Sequence, residues 1–163
     1  MNLIPHHTET LVSPLSKEEV LGHLMRVTRE VNFLDSRSYL NDQIKFNGIV
    51  GRKGFQISHA IKKGDTFLPL LIGKMEETPK GSIIFLEYKP FPSAIFFLAF
   101  WTLILISFSA FYLFAIPNYS YSLLCGSLAI VNYSLGLFFF NRQFKRTRAV
   151  FHELINFQLK DKD

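Results

Sequence analysis

Between Pro90 and Asn141 the chain has no Lys, Arg, Asp or Glu. A soluble protein of 163 residues has too little polar chain to bury such a run. A soluble hairpin of two core helices is the competing reading, and each arm is too long for it. Cysteine is almost absent. Cys125 stands alone, which excludes an intrachain disulfide and any multi-cysteine zinc site. It falls in the second apolar arm as a small packing residue. The signatures of chemistry are missing too: no Gly-x-Ser-x-Gly, no P-loop, no dinucleotide glycine pattern and no His-Glu-x-x-His. Catalytic, cofactor-binding and metal-ligating residues are therefore assigned to none. His59, on a strand, is the best isolated acid-base candidate and reads as an ordinary surface or core histidine. His6-His7 lack a third metal ligand, and Glu76-Glu77 and Glu87 read as solvated. The opening Met1-Asn2-Leu3-Ile4-Pro5 carries no basic region followed by an apolar core, so no cleavable signal peptide is expected.

What fills the uncharged run is aromatic and aliphatic. It divides at Ile116-Pro117-Asn118-Tyr119 into arms of about 91–116 and 119–140, each long enough for a span of roughly 20 residues. Lipid offers the backbone no partners, so both arms are expected to be helices. Pro117 ends the first and starts a tight turn. Tyr119 and Tyr121 suit an interface. Trp101 lies about ten residues inside the first arm, so either that helix begins later than Phe91 or Trp101 faces its neighbour.

Charge sets the orientation. Residues 1–90 hold twelve basic and ten acidic side chains, and residues 141–163 hold six and three. The near balance argues against nucleic-acid binding, and the excess in the tail reads as a juxtamembrane basic cluster. Arg142, Lys145, Arg146 and Arg148 follow the second arm, Lys80 and Lys89 precede the first, and the loop between the arms is uncharged. The positive-inside rule then places both termini in the cytoplasm of a multi-pass membrane protein. Three regions follow: a cytoplasmic α+β sensor or interaction domain at 1–89, a transmembrane hairpin at 90–141, and a basic amphipathic tail at 142–163.

Within the first region, residues 1–15 read as irregular. Ser16-Lys17-Glu18-Glu19 is a capping box. The helix it opens carries Val20, Leu21, Leu24, Val27, Thr28 and Val31 on one stripe and is expected to end between Asn32 and Asp35. From Ile44 the period changes to two. Strands are expected from Ile44 to Val50, across Phe55 to His59, from Phe67 to Met75 and from Ser82 to Tyr88, joined by short glycine-bearing turns. The fold class is α+β: a small antiparallel meander with a covering helix, a two-helix hairpin, and a C-terminal amphipathic helix. That last helix either continues the second span, lies at the interface, or folds back on the sheet. Only Lys89-Pro90 separate the last strand from the first span, a junction that either transmits movement or is simply a short anchor.

Two basic turns, Arg52-Lys53 and Lys62-Lys63, sit beside glycines whose amides can approach an anion. They are ligand-binding candidates for a phosphorylated molecule, against the plainer reading of ordinary hairpin turns. Asn132 is costly to leave in lipid. With Gly126 and Gly136 it marks a helix-contact stripe, toward the other arm of the hairpin or toward a second copy, and the three are assigned to oligomerisation.

Phe46-Asn47-Gly48-Ile49-Val50, Gly54-Phe55-Gln56-Ile57 and Phe67-Leu68-Pro69-Leu70-Leu71-Ile72-Gly73-Lys74 together carry a resemblance. The pattern resembles a bacterial family of small membrane proteins that place Phe-x-Gly, Phe-x-Ile and Phe-x-Pro-x-x-x-Gly segments ahead of two spans. It covers most of residues 44–140. The chain also looks like the two-transmembrane β effectors encoded beside minimal CRISPR-type polymerases in anti-phage systems. That likeness implies a β domain that senses a cyclic nucleotide and spans that damage the bacterial inner membrane. The family often has Arg-Asn-Ser before the position of Phe67, where this chain has Gly64-Asp65-Thr66, so Lys62 or Lys63 would have to replace that arginine. The expectation is a non-enzymatic, oligomeric, membrane-disrupting effector controlled by a cyclic (di)nucleotide. The alternative is a membrane adaptor that presents the β domain to a protein partner.

Overall fold

The computed structural model describes residues 5–29, 44–60 and 67–160, with side chains as far as residue 155. Six strands form one sheet: β1 (His7–Ser13), β2 (Thr28–Arg29), β3 (Phe46–Gly51), β4 (Gly54–His59), β5 (Pro69–Thr78) and β6 (Gly81–Pro90). Their order is β1-β6-β5-β4-β3-β2. The meander β3 to β6 is antiparallel, with two-residue turns between β3 and β4 and between β5 and β6, and among the described strands only β2 runs parallel to its neighbour.

Two strands were not anticipated. Within the stretch read as irregular, residues 7–13 are a strand, because β1 pairs with β6 from His7↔Tyr88 to Ser13↔Ser82. Its inward positions are His7, Glu9, Leu11 and Ser13, too polar to show the usual alternation. The first helix, α1 (Lys17–Val27), is also shorter than its stripe suggests. Thr28 turns extended and pairs with Phe46, so the β-branched end of the stripe becomes β2. Val31 and the expected end at Asn32–Asp35 lie outside the described residues. The capping box is present: Ser16 Oγ accepts from the Glu19 amide, and Glu19 Oε2 accepts from the Ser16 amide at 2.9 Å.

The remaining elements are α2 (Pro92–Phe114) and α3 (Tyr119–Lys160). α2 starts one residue after β6, with Phe91 at the helix boundary and Pro92 in the first turn. At 1.5 Å per residue it is about 35 Å long. Asn118 caps α3 by accepting from the Tyr121 amide. The helix begins at Pro92, one residue after Phe91, and Trp101 is 45% exposed, edge-on to Phe97 and Phe100 of its own helix. Both long helices are apolar enough to cross a membrane.

α3 does not stop at the charge boundary. It passes through residues 141 and 142 unbroken, so the line drawn there between hairpin and tail falls inside one helix. Its second half lies on the sheet. Phe151 and Ile155 join α1 residues Val20, Leu21 and Leu24 over Phe46, Phe55, Ile57, Leu71, Ile84 and Leu86. Phe151 meets the Phe55 ring at 5.7 Å and the edge of Phe46 at 6.2 Å. One sheet face thus receives both helices, and among the described residues no element packs on the opposite face, where Val12, Ile49 and Phe85 are exposed.

Candidate functional site

Polar contacts fasten α3 to the edge strand. Arg148 donates to Glu9 through Nε at 2.9 Å and Nη2 at 2.7 Å, a forked pair with directional strength. His152 Nε2 lies 3.1 Å from the same carboxylate. The Arg148 guanidinium holds the Glu9 carboxyl below its ordinary range, against the opposing push of burial, with His152 adding to the fall. His7 stacks on Phe144 at 4.1 Å, and His6 contacts Glu87 at 2.9 Å. The two neighbouring histidines therefore face opposite sides of β1.

On the sheet face opposite the helices three cations border a depression. Arg52 and Lys53 occupy the β3–β4 turn, and β4↔β5 pairing sets Lys74 opposite Gly54. These three side chains, with Gln56, border a shallow depression of about 490 Å³ whose apolar floor includes Ile49 and Ile72. Gly51, Gly54 and Gly73 also line it, so the backbone is open to approach there. None of the three cations makes an ion pair among the described residues. Lys74 was not singled out from the sequence. Only the strand register shows that it stands beside the Arg52-Lys53 turn.

Phe55 is shared by both faces. Its residue lines the depression, while its ring lies in the core against Phe151. Gly73 is part of the same arrangement: it pairs with Phe55, and a Cβ there would fall within the Phe55 ring. The absent side chain lets the ring cross the sheet surface.

The other nominated residues fall elsewhere. Lys62 and Lys63 lie outside the described residues. Gly126, Asn132 and Gly136 all face α2 of the same chain. Asn132 Nδ2 donates to Thr102 Oγ1 at 3.0 Å, Gly136 lies against Leu98, and Gly126 lies against Ser109. His59 is half-buried at the edge of Phe46, and burial first, then Arg146 and Lys45, lowers its pKa. It favours a neutral imidazole at neutral pH. Among the described residues no group of three His, Cys, Asp or Glu side chains could hold a metal ion.

No known family, curated protein or solved structure matches the chain.

Proposed function

We propose that this protein is a membrane effector whose bare sheet face binds an anionic ligand and whose long helices answer to that binding within the bilayer. The apolar windows of α2 and α3 are only 6% and 17% buried, where core helices of a soluble protein would be mostly covered. Lipid is the solvent that makes such exposure favourable. In this reading the positive-inside rule, applied to the flanking cations, supports a cytoplasmic sheet and cytoplasmic termini at the bacterial inner membrane.

The observation that carries the effector reading is the depression bordered by Arg52, Lys53 and Lys74, backed through Phe55 by Phe151 of α3. Three cations suit phosphate oxygens, and the Ile49–Ile72 floor suits the flat face of a base. Together they fit a cyclic (di)nucleotide, the ligand class that the resemblance to anti-phage effectors implies. In this reading the site works by recognition and movement. Two helices enclose no channel, and a breach of the bilayer therefore requires several copies.

An adaptor is the second reading, favoured by Val12 and Ile49, which are 79% and 63% exposed on the same face. The two differ in what occupies that face. Full-length protein in nanodiscs should bind a fluorescent cyclic dinucleotide, and the triple change Arg52→Ala, Lys53→Ala, Lys74→Ala should abolish it. Changing Lys62 and Lys63 to Ala tests whether the following segment contributes. In living bacteria a voltage-sensitive dye should report depolarisation that needs residues 91–140 and responds to cyclic-dinucleotide depletion. No nucleotide affinity, a steady potential and one stoichiometric protein partner would leave the adaptor.

A further inference from the structure

The strand register sets the open sheet face out in rows. Gln56 of β4 stands between Ile49 of β3 and Ile72 of β5. Its chain neighbours Phe55 and Ile57 point the other way, into the core, so Gln56 projects from the open face and is exposed. Among the described residues that line the depression, it alone carries a neutral hydrogen-bonding side chain. Its carboxamide has no partner among the described residues.

The neighbouring row, on the side of the Arg52-Lys53 turn, is Gly51, Gly54 and Lys74. Two of those three positions have no side chain, so a ligand can lie close to the main chain between the cations and Gln56. Rows on one face are two residues apart, about 7 Å along the strand. A nucleotide whose phosphate meets the cations therefore sets its sugar over the glycines and its base over the Gln56 row. A carboxamide holds a donor and an acceptor side by side. Adenine's amino group and the ring nitrogen beside it are the matching donor and acceptor, and the pair closes with two hydrogen bonds. Guanine presents two N–H donors and a carbonyl on the corresponding edge, so one carboxamide leaves one of its donors without a partner. With a base lying over Ile49 and Ile72, those side chains keep water from satisfying the spare group, and the mismatch is costly.

We infer that Gln56 is the specificity-determining residue of this face and selects adenine over guanine in the bound nucleotide. The inference rests on the nucleotide reading of the depression. It divides the work within that site: the three cations meet phosphate, which every nucleotide has, and Gln56 meets the edge by which nucleotides differ.

The test is titration calorimetry of the full chain in nanodiscs with cyclic di-AMP and, separately, cyclic di-GMP. The native chain should bind cyclic di-AMP about tenfold more tightly. Gln56→Glu should reverse that order. Its carboxylate accepts from both guanine N–H groups and has no donor for the adenine ring nitrogen. The added charge opposes both ligands alike, so the ratio of the two affinities is the readout. Gln56→Leu, which can neither donate nor accept, should bring the ratio close to one. Equal native affinities, a native preference for cyclic di-GMP, or a ratio that Gln56→Glu leaves unmoved would overturn the inference and leave the nucleotide site standing. A native chain that binds neither ligand would defeat the nucleotide reading itself, and this assignment with it.

Discussion

Replacing Phe151 with alanine should release the end of α3 from the sheet and leave the hairpin intact. Phe151 is fully buried and stands between Phe46 and Phe55. Removing a buried phenylalanine side chain costs about 3–5 kcal/mol. The loss falls on one contact, because Phe144, held by His7 and Tyr88, and Arg148, held by Glu9, lie nearer the hairpin. At ~3 kcal/mol the open population of this segment rises by a little over a hundredfold, and at ~5 kcal/mol by several thousandfold.

Hydrogen exchange on the full chain in nanodiscs reads such openings peptide by peptide. Faster exchange is expected in α3 beyond residue 148, in Phe46–Gly51 and in Gly54–His59. Peptides from the first half of α3 should keep their rates. Phe151→Leu retains an apolar side chain of fair size, costs under about 1.5 kcal/mol, and should restore most of the protection. A uniform rise along the whole of α3 would refute the idea that its two halves are held by separate partners. No rise anywhere would mean that α3 does not grip the sheet at Phe151.

Three further outcomes follow from single contacts. Gly73→Ala should destabilise the sheet domain by about 1–3 kcal/mol through overlap with the Phe55 ring, read as a lowered thermal midpoint. Thr147→Val should do the reverse, by about 1 kcal/mol, because the Thr147 hydroxyl is buried without a hydrogen-bond partner among the described residues and the methyl keeps its shape. Glu9 has a carboxyl pKa lowered from 4.5 by Arg148, so its contribution is complete above pH 4.5 and is lost as pH falls through the lower folded value. Acid unfolding of the native chain should accordingly be steeper below pH 4.5 than that of Glu9→Gln, and superimposable curves would remove the Glu9–Arg148 pair from the account of stability.

The sequence made the meander, the capping box and the two apolar helices legible because each rests on a local period or a local cap. β1 was hidden because its inward residues are polar and become acceptable only when α3 supplies Arg148 and the Phe144 ring. β2 was hidden because two residues give no period, and its partner begins only at Phe46. Lys74 escaped notice for a similar reason. Nothing near it in the chain marks it, and its place beside Arg52 and Lys53 depends on the Gly54↔Lys74 register. Strand pairing over a distance, rather than local composition, assembled the candidate site.

α3 shows most clearly why composition divides what structure joins. The charges from Arg142 onward divide the sequence into a span and a tail, yet Ala129, Tyr133, Gly136, Phe140, Phe144, Thr147, Phe151 and Ile155 recur every three or four residues across that division. A single helical face therefore serves two surfaces in turn, α2 for its first half and the sheet for its second. Charge marks only the other sides of the helix. The consequence is mechanical. The sheet is joined to the hairpin once through β6, with one residue between strand and helix, and again through an unbroken α3. Under the proposed effector reading, a ligand that shifted β4 against α3 would meet no slack linker at either connection. Its displacement would be resisted at Phe151 or carried along α3 past Asn132 and Gly126 to the contact between the two apolar helices.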